Sequence, residues 1–152
     1  MKYIKLFEEH SYSVYELITM GANQVLNLLI EEIRKENPDL ELIKDILEYS
    51  VIDINSKNSD SQTALIVAAR NGREKCVELL LKHPGIDVNL QTIMGNTALM
   101  LAAYYGKEKA VELLLNHPGI DITLEDRNGQ TVWDLATIDM QVRFPQLNPD
   151  AL

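Results

Sequence analysis

Two histidine–aspartate pairs stand at one spacing, His83 with Asp87 and His117 with Asp121. They lie inside the near-identical stretches LLLKHPGIDV (79–88) and LLLNHPGIDI (113–122). Imidazole beside carboxylate is the pairing used in general acid/base catalysis and in zinc ligation. Either use requires the side chains to converge. A spacing of four achieves that within a helix, but Pro84-Gly85 and Pro118-Gly119 interrupt any helix between the partners. Equivalent residues of stacked helices lie roughly 10 Å apart, whereas a zinc–nitrogen bond is about 2 Å. The two histidines therefore cannot share a metal. They are expected to cap helix C-termini, with Asp87 and Asp121 supporting the loops that follow.

No other residue pattern gives a stronger chemical signal. Cys76 is the only cysteine, which excludes an intramolecular disulfide and the usual cysteine clusters of structural zinc sites. It aligns with Ala110 and has no histidine beside it, so a small packing residue is expected. Gly95, Gly106 and Gly129 are scattered, with no GxxxxGK run, and neither GxSxG nor HExxH occurs. Glu31-Glu32 and Glu36, Asp39 and Glu41 read as a solvated helix surface. Trp133 reads as core. The expectation is no enzyme, no cofactor and no metal.

Charge narrows the partners. Fourteen basic against 23 acidic side chains give a net charge of −9, which disfavours nucleic acid and anionic membranes. The longest apolar run, 98–105, is far too short to span a bilayer. The N-terminal segment has no continuous apolar stretch of the secretory type. A cytosol-type compartment is expected, including a host cytoplasm if the chain is a translocated effector.

An internal repeat sets out the elements that position these residues. At an offset of 34, Thr63–Asn89 and Thr97–Thr123 share 18 of 27 residues, Thr131 falls in the same register, and so does Asp53 of VIDINSKN. In each middle unit a threonine N-caps a short helix, which Asn71-Gly72 or its counterpart stops. A second helix, over about 74–82 in the first of these units, places Val77, Leu80 and Leu81 on one face, and His-Pro-Gly ends it. Ala68-Ala69 and Ala102-Ala103 let successive first helices approach closely, while Leu65 and Leu99 fill the space between layers. Asn37-Pro38-Asp39 reads as a helix start with Asn37 as N-cap, Asn23–Glu36 fills the preceding first-helix slot, and Ser13-x-x-Glu16 reads as a capping box opening an extra helix. No single unit of this size buries its own apolar face, so neighbours must complete each core.

TALIVAARNGREKCVELLL and TALMLAAYYGKEKAVELLL closely resemble ankyrin repeats, and the resemblance covers residues 37 to about 144. Proline and histidine of the family's T-P-L-H signature are replaced by Ala64 with Ile66 and by Ala98 with Met100. Apolar packing is therefore expected at Ile66 and Met100. The resemblance implies an all-α solenoid of stacked helix-turn-helix units with projecting β-turn loops. It forms one domain over 1–152: an N-terminal cap (1–22), a divergent first repeat (23–57), repeats at 58–91 and 92–125, and a truncated last repeat (126–152).

The resemblance also implies that loop tips and first-helix ends line a concave face that grips protein partners. Those are the positions at which the units differ here: Ser59, Asp60, Gln62, Arg70 and Asn71 in one, Ile93, Met94, Asn96, Tyr104 and Tyr105 in the next, and Arg127, Asn128 and Gln130 after that. The function expected is a non-catalytic protein–protein interaction module, and the net charge points to a partner with a basic surface. Two alternatives stand beside it: a targeting domain of a larger enzyme or secreted effector, and a self-associating scaffold with apolar surface around Met140, Val142 and Phe144. A monomer is expected, with a weak dimer as the alternative.

Overall fold

Threonine begins the short helices as its side chain dictates. Thr63 Oγ1 accepts a hydrogen bond from the Ile66 amide and Thr97 Oγ1 accepts one from Met100, each at 3.2 Å. These caps open α3 (Ala64–Arg70) and α5 (Ala98–Tyr104). In the computed structural model, which describes residues 19–49 and 52–151, these helices pair with α4 (Glu74–Leu81) and α6 (Glu108–Leu115). Before them come α1 (Ala22–Arg34) and α2 (Leu40–Tyr49). After them come α7 (Val132–Leu135), α8 (Ile138–Arg143) and short 3-10 turns at Pro145–Leu147 and Pro149–Ala151. The described residues contain helices and no strands. The capping box expected at Ser13 and Glu16 lies outside them.

The first helices stack in one row, α1 on α3, α3 on α5 and α5 on α7, and α2, α4 and α6 form a second row. Ala68, Ala69, Ala102 and Ala103 are wholly buried in the first row, and their lack of bulk permits its close spacing. Leu65 and Leu99 are buried between the layers, as are Ile66 and Met100, so the apolar replacement expected at the signature positions is present. Met100 does more than pack: its Sδ accepts the Thr97 amide at 3.4 Å, closing a capping box through a thioether. Asp134 performs that role in the next unit, accepting from both the amide and the hydroxyl of Thr131 at 2.8 Å.

Several expectations are corrected. The N-cap of α2 is Asp39 and not Asn37, because Asp39 Oδ1 accepts the amides of Glu41 and Leu42, both at 3.1 Å. Glu32 is no solvated acid. It is 3% exposed, with Oε1 accepting the Asp39 amide at 2.7 Å and Oε2 paired with Lys35, and so it ties the end of α1 to the start of α2. Trp133 is only partly buried, whereas its counterparts Leu65 and Leu99 are enclosed by a further layer. Met140 and Phe144 are buried. Among the described residues of the last unit, the exposed large apolar side chains are Ile138 and Val142.

The loops between units are stapled by asparagine. The Asn55 side-chain amide donates to the Gly85 carbonyl at 2.9 Å and its Oδ1 accepts the Asp87 amide at 2.8 Å. Asn89 repeats this one unit on, with Gly119 and Asp121 at 2.8 and 2.9 Å. Each asparagine is aimed by the aspartate two residues before it, whose Oδ1 accepts its backbone amide. The duplicated HPGID stretch is thus the receptor for the preceding unit's asparagine.

Candidate protein-docking face

The projecting loops share one turn built from different residues. Asn58 Oδ1 accepts the amides of Asp60 and Gln62, Thr92 Oγ1 those of Met94 and Asn96, and Asp126 Oδ1 those of Asn128 and Gln130. Two backbone bonds close each loop: Asn58, Thr92 and Asp126 donate to the carbonyls of Gln62, Asn96 and Gln130, and their own carbonyls accept from Ser61, Gly95 and Gly129. The third tip position is left-handed in all three: Ser61 at φ 59°, Gly95 at 83° and Gly129 at 73°. The two residues before it point outward in each loop: Ser59-Asp60, Ile93-Met94 and Arg127-Asn128. All six are exposed. The Arg127 amide donates to the Met94 carbonyl at 3.0 Å, joining the last two tips.

The first helices end on the same series of variable positions. Arg70, Tyr104 and Tyr105 are exposed. The Tyr104 and Tyr105 rings meet edge to face, with centroids 5.0 Å apart. The Arg70 guanidinium lies 5.2 Å from the Tyr105 ring centre and donates to its hydroxyl at 3.4 Å, so cation and aromatic hold one another in place. Four further candidates are half-buried and serve the scaffold. Asn71 Nδ2 donates to the Val67 carbonyl at 2.8 Å, and the backbones of Gln62, Asn96 and Gln130 close their loops.

Arg34 belongs with this group and was missed. It ends α1 as Arg70 ends α3 and Tyr104 ends α5. It approaches Asp60 at 3.6 Å and lines a cleft of about 330 Å³ with Gln62, Val67, Arg70 and Asn71. The 34-residue register points to Glu36 instead, because the longer α1–α2 connection shifts the first unit by two residues. Aligning helix ends would have found it.

The residues first suspected of chemistry have other work. His117 Nδ1 accepts the Gly119 amide at 3.1 Å, and His83 Nδ1 lies 2.8 Å from the Pro84 carbonyl oxygen. Both rings brace the turn after the helix, and neither caps helix carbonyls as expected. Burial pushes the Cys76 thiol up to about 11, so its nucleophilic thiolate is scarce at neutral pH. Among the described residues no group of three or more His, Cys, Asp or Glu is placed to hold a metal ion. No described helix is long and apolar enough to cross a membrane.

Two exposed carboxylates titrate abnormally. Hydrogen bonds from the Thr123 hydroxyl and amide hold Asp121 below its ordinary 3.8, and the amide and hydroxyl of Thr131 do the same for Asp134. Both groups bind protons less readily folded than unfolded. Their stabilisation is complete above the unfolded pKa and is lost as pH falls through the lower folded value. Chemical unfolding between pH 5 and 2 is expected to show an acid limb that is shallower in Asp121→Asn with Asp134→Asn; an unchanged limb would refute the assignment.

Residues 29–126 match the sequence model of the family described as ankyrin repeats (3 copies). No curated protein matches the chain. The matched span covers α2 to α6 entire and the C-terminal part of α1, and its repeating helix pairs and projecting turns are those set out above. The chain belongs to the ankyrin-repeat family.

Proposed function

We propose that this protein is a non-catalytic binding module of the adaptor, regulator or effector kind, working in a cytoplasmic compartment. It grips a protein partner through its loop tips and the ends of its first helices. Ankyrin repeats are generally protein–protein interaction modules. One observation supports placing the contact here. Among the described residues six large apolar side chains are exposed, and four of them, Ile93, Met94, Tyr104 and Tyr105, stand at positions where the repeats differ. They are 60, 51, 53 and 44% exposed, too open to serve the core and of types enriched at interface centres.

The double substitution Tyr104→Ala with Tyr105→Ala tests the reading. Affinity for a partner captured by the wild-type protein is expected to fall at least tenfold, since hot-spot truncations cost about 2 kcal/mol or more. The thermal midpoint should stay within a few degrees, since neither ring is in the core. Unchanged affinity by calorimetry would reject the face.

A further inference from the structure

The net charge of −9 points toward a basic partner, but the arginines at the docking face point the other way. We infer that the segment gripped there is acidic: an extended stretch of about six residues in which carboxylates flank an apolar side chain. This inference rests on the docking face proposed above.

In a chain with 23 acids and 14 bases, most arginines should find an internal partner. Two of them pair with a carboxylate: Arg34 meets Glu31 at 2.7 Å and Arg143 meets Glu108. Among the described residues Arg70, Arg73 and Arg127 have no carboxylate within ion-pair distance. Arg73 is half-buried and donates to the Arg34 carbonyl at 3.2 Å, which leaves Arg70 and Arg127 as the exposed exceptions. These two stand beside the four exposed apolar residues. Arg70 lies over Tyr105, and Arg127 is bonded through its amide to Met94.

Three of the neighbouring acids are already committed. Asp126 turns its carboxylate inward to the amides of Asn128 and Gln130, Asp134 turns back onto Thr131, and Asp60 faces Arg34. Glu125 shares a cleft with Arg127 without pairing to it. An arginine fork steadied by an aromatic ring loses little freedom when it takes a carboxylate in two parallel bonds.

Length follows from the scaffold. Ile93 and Met94 precede α5, and Tyr104 and Tyr105 end it. Seven helical residues span roughly 10 Å, and the loop adds several more. At about 3.3 Å per residue, five or six extended residues cover that reach. Half-buried Leu101, on α5 between them, offers an apolar floor.

The test is selection of displayed random peptides of about twelve residues on the folded chain, with the finest enriched sequence then synthesised and measured. Enriched peptides are expected to be net negative and to contain an aromatic or aliphatic residue. Binding of the synthetic peptide should weaken with salt and fall about tenfold in Arg70→Glu and in Arg127→Glu, while circular dichroism melts stay unchanged. Neutral or basic enriched peptides overturn the inference, as does failure to enrich, or acidic peptides indifferent to both reversals. If basic peptides are enriched and lost in the Tyr104/Tyr105 double mutant, the docking face stands and the charge assignment falls. If binding ignores the tyrosines, the face itself is wrong.

Discussion

Replacing Gly95 by alanine is expected to destabilise the fold by about 3 kcal/mol, through two effects that act together. The residue holds φ at 83°, where a Cβ crowds the following carbonyl and costs about 1–2 kcal/mol. The added carbon would also stand 2.8 Å from the Arg127 amide nitrogen and 2.9 Å from the Asp126 Cα. Those atoms belong to the backbone of the next loop and cannot swing aside as a side-chain tip would. Relief would require moving the last loop and breaking the bond from Arg127 to Met94. Gly85 supplies the control. It holds φ at 79°, yet a Cβ there meets nothing within 4 Å, so Gly85→Ala should cost only about 1 kcal/mol. Urea unfolding of both variants measures the difference, with m unchanged as a check that two-state behaviour persists. Equal losses would show that conformation alone matters and that the loops are free to separate.

Glu32→Ala is expected to cost about 2–3 kcal/mol, large for a single polar residue. The carboxylate is buried and accepts the Asp39 amide while Lys35 partners its other oxygen. Truncation leaves a backbone donor without its acceptor at the turn that joins α1 to α2. Glu32→Gln keeps the acceptor for Asp39 and loses the charge opposite Lys35. That pair is more than half exposed on the lysine side, so its share of the stabilisation is small. The glutamine variant should therefore lie much nearer wild type than the alanine variant. Denaturant titration of the three proteins tests the order. A glutamine variant as unstable as alanine would mean that charge, and not the bond to Asp39, carries the effect.

The scaffold was legible in the sequence because its signals are local and repeated. Thr63 and Thr97 announce their helices by a hydroxyl three residues before an amide, and the 34-residue identity names the stacking partners. Glu32 was not legible. A glutamate inside NLLIEEIRKE looks like any solvated helix acid, and its burial depends on where a turn seven residues away folds back. Asp39 displaced Asn37 as cap for a related reason: the Asp39 amide that an Asn37 cap would bind is taken by Glu32, and the chain enters α2 one residue after Asp39. The candidate docking residues were legible as differences between copies. Arg34 lay outside that comparison because the first unit runs two residues out of register. Trp133 shows the limit of register itself, since an equivalent position is buried only where another layer covers it.

The asparagine staple has a consequence for copy number. The unit 58–91 bears both halves of the joint, an HPGID turn that receives and an asparagine that gives. A duplicate of residues 58–91 spliced in after Gln91 would find the original Asn89 waiting behind it and the Gly119 turn ahead. No compensating substitution would be needed at either junction. Position 123 differs: threonine stands there, and its hydroxyl is spent on Asp121 at 2.7 Å. A duplicate inserted after residue 125 would present its turn to a side chain too short to reach it. The array therefore has a polarity, open to lengthening from within and closed to it beyond its second HPGID turn.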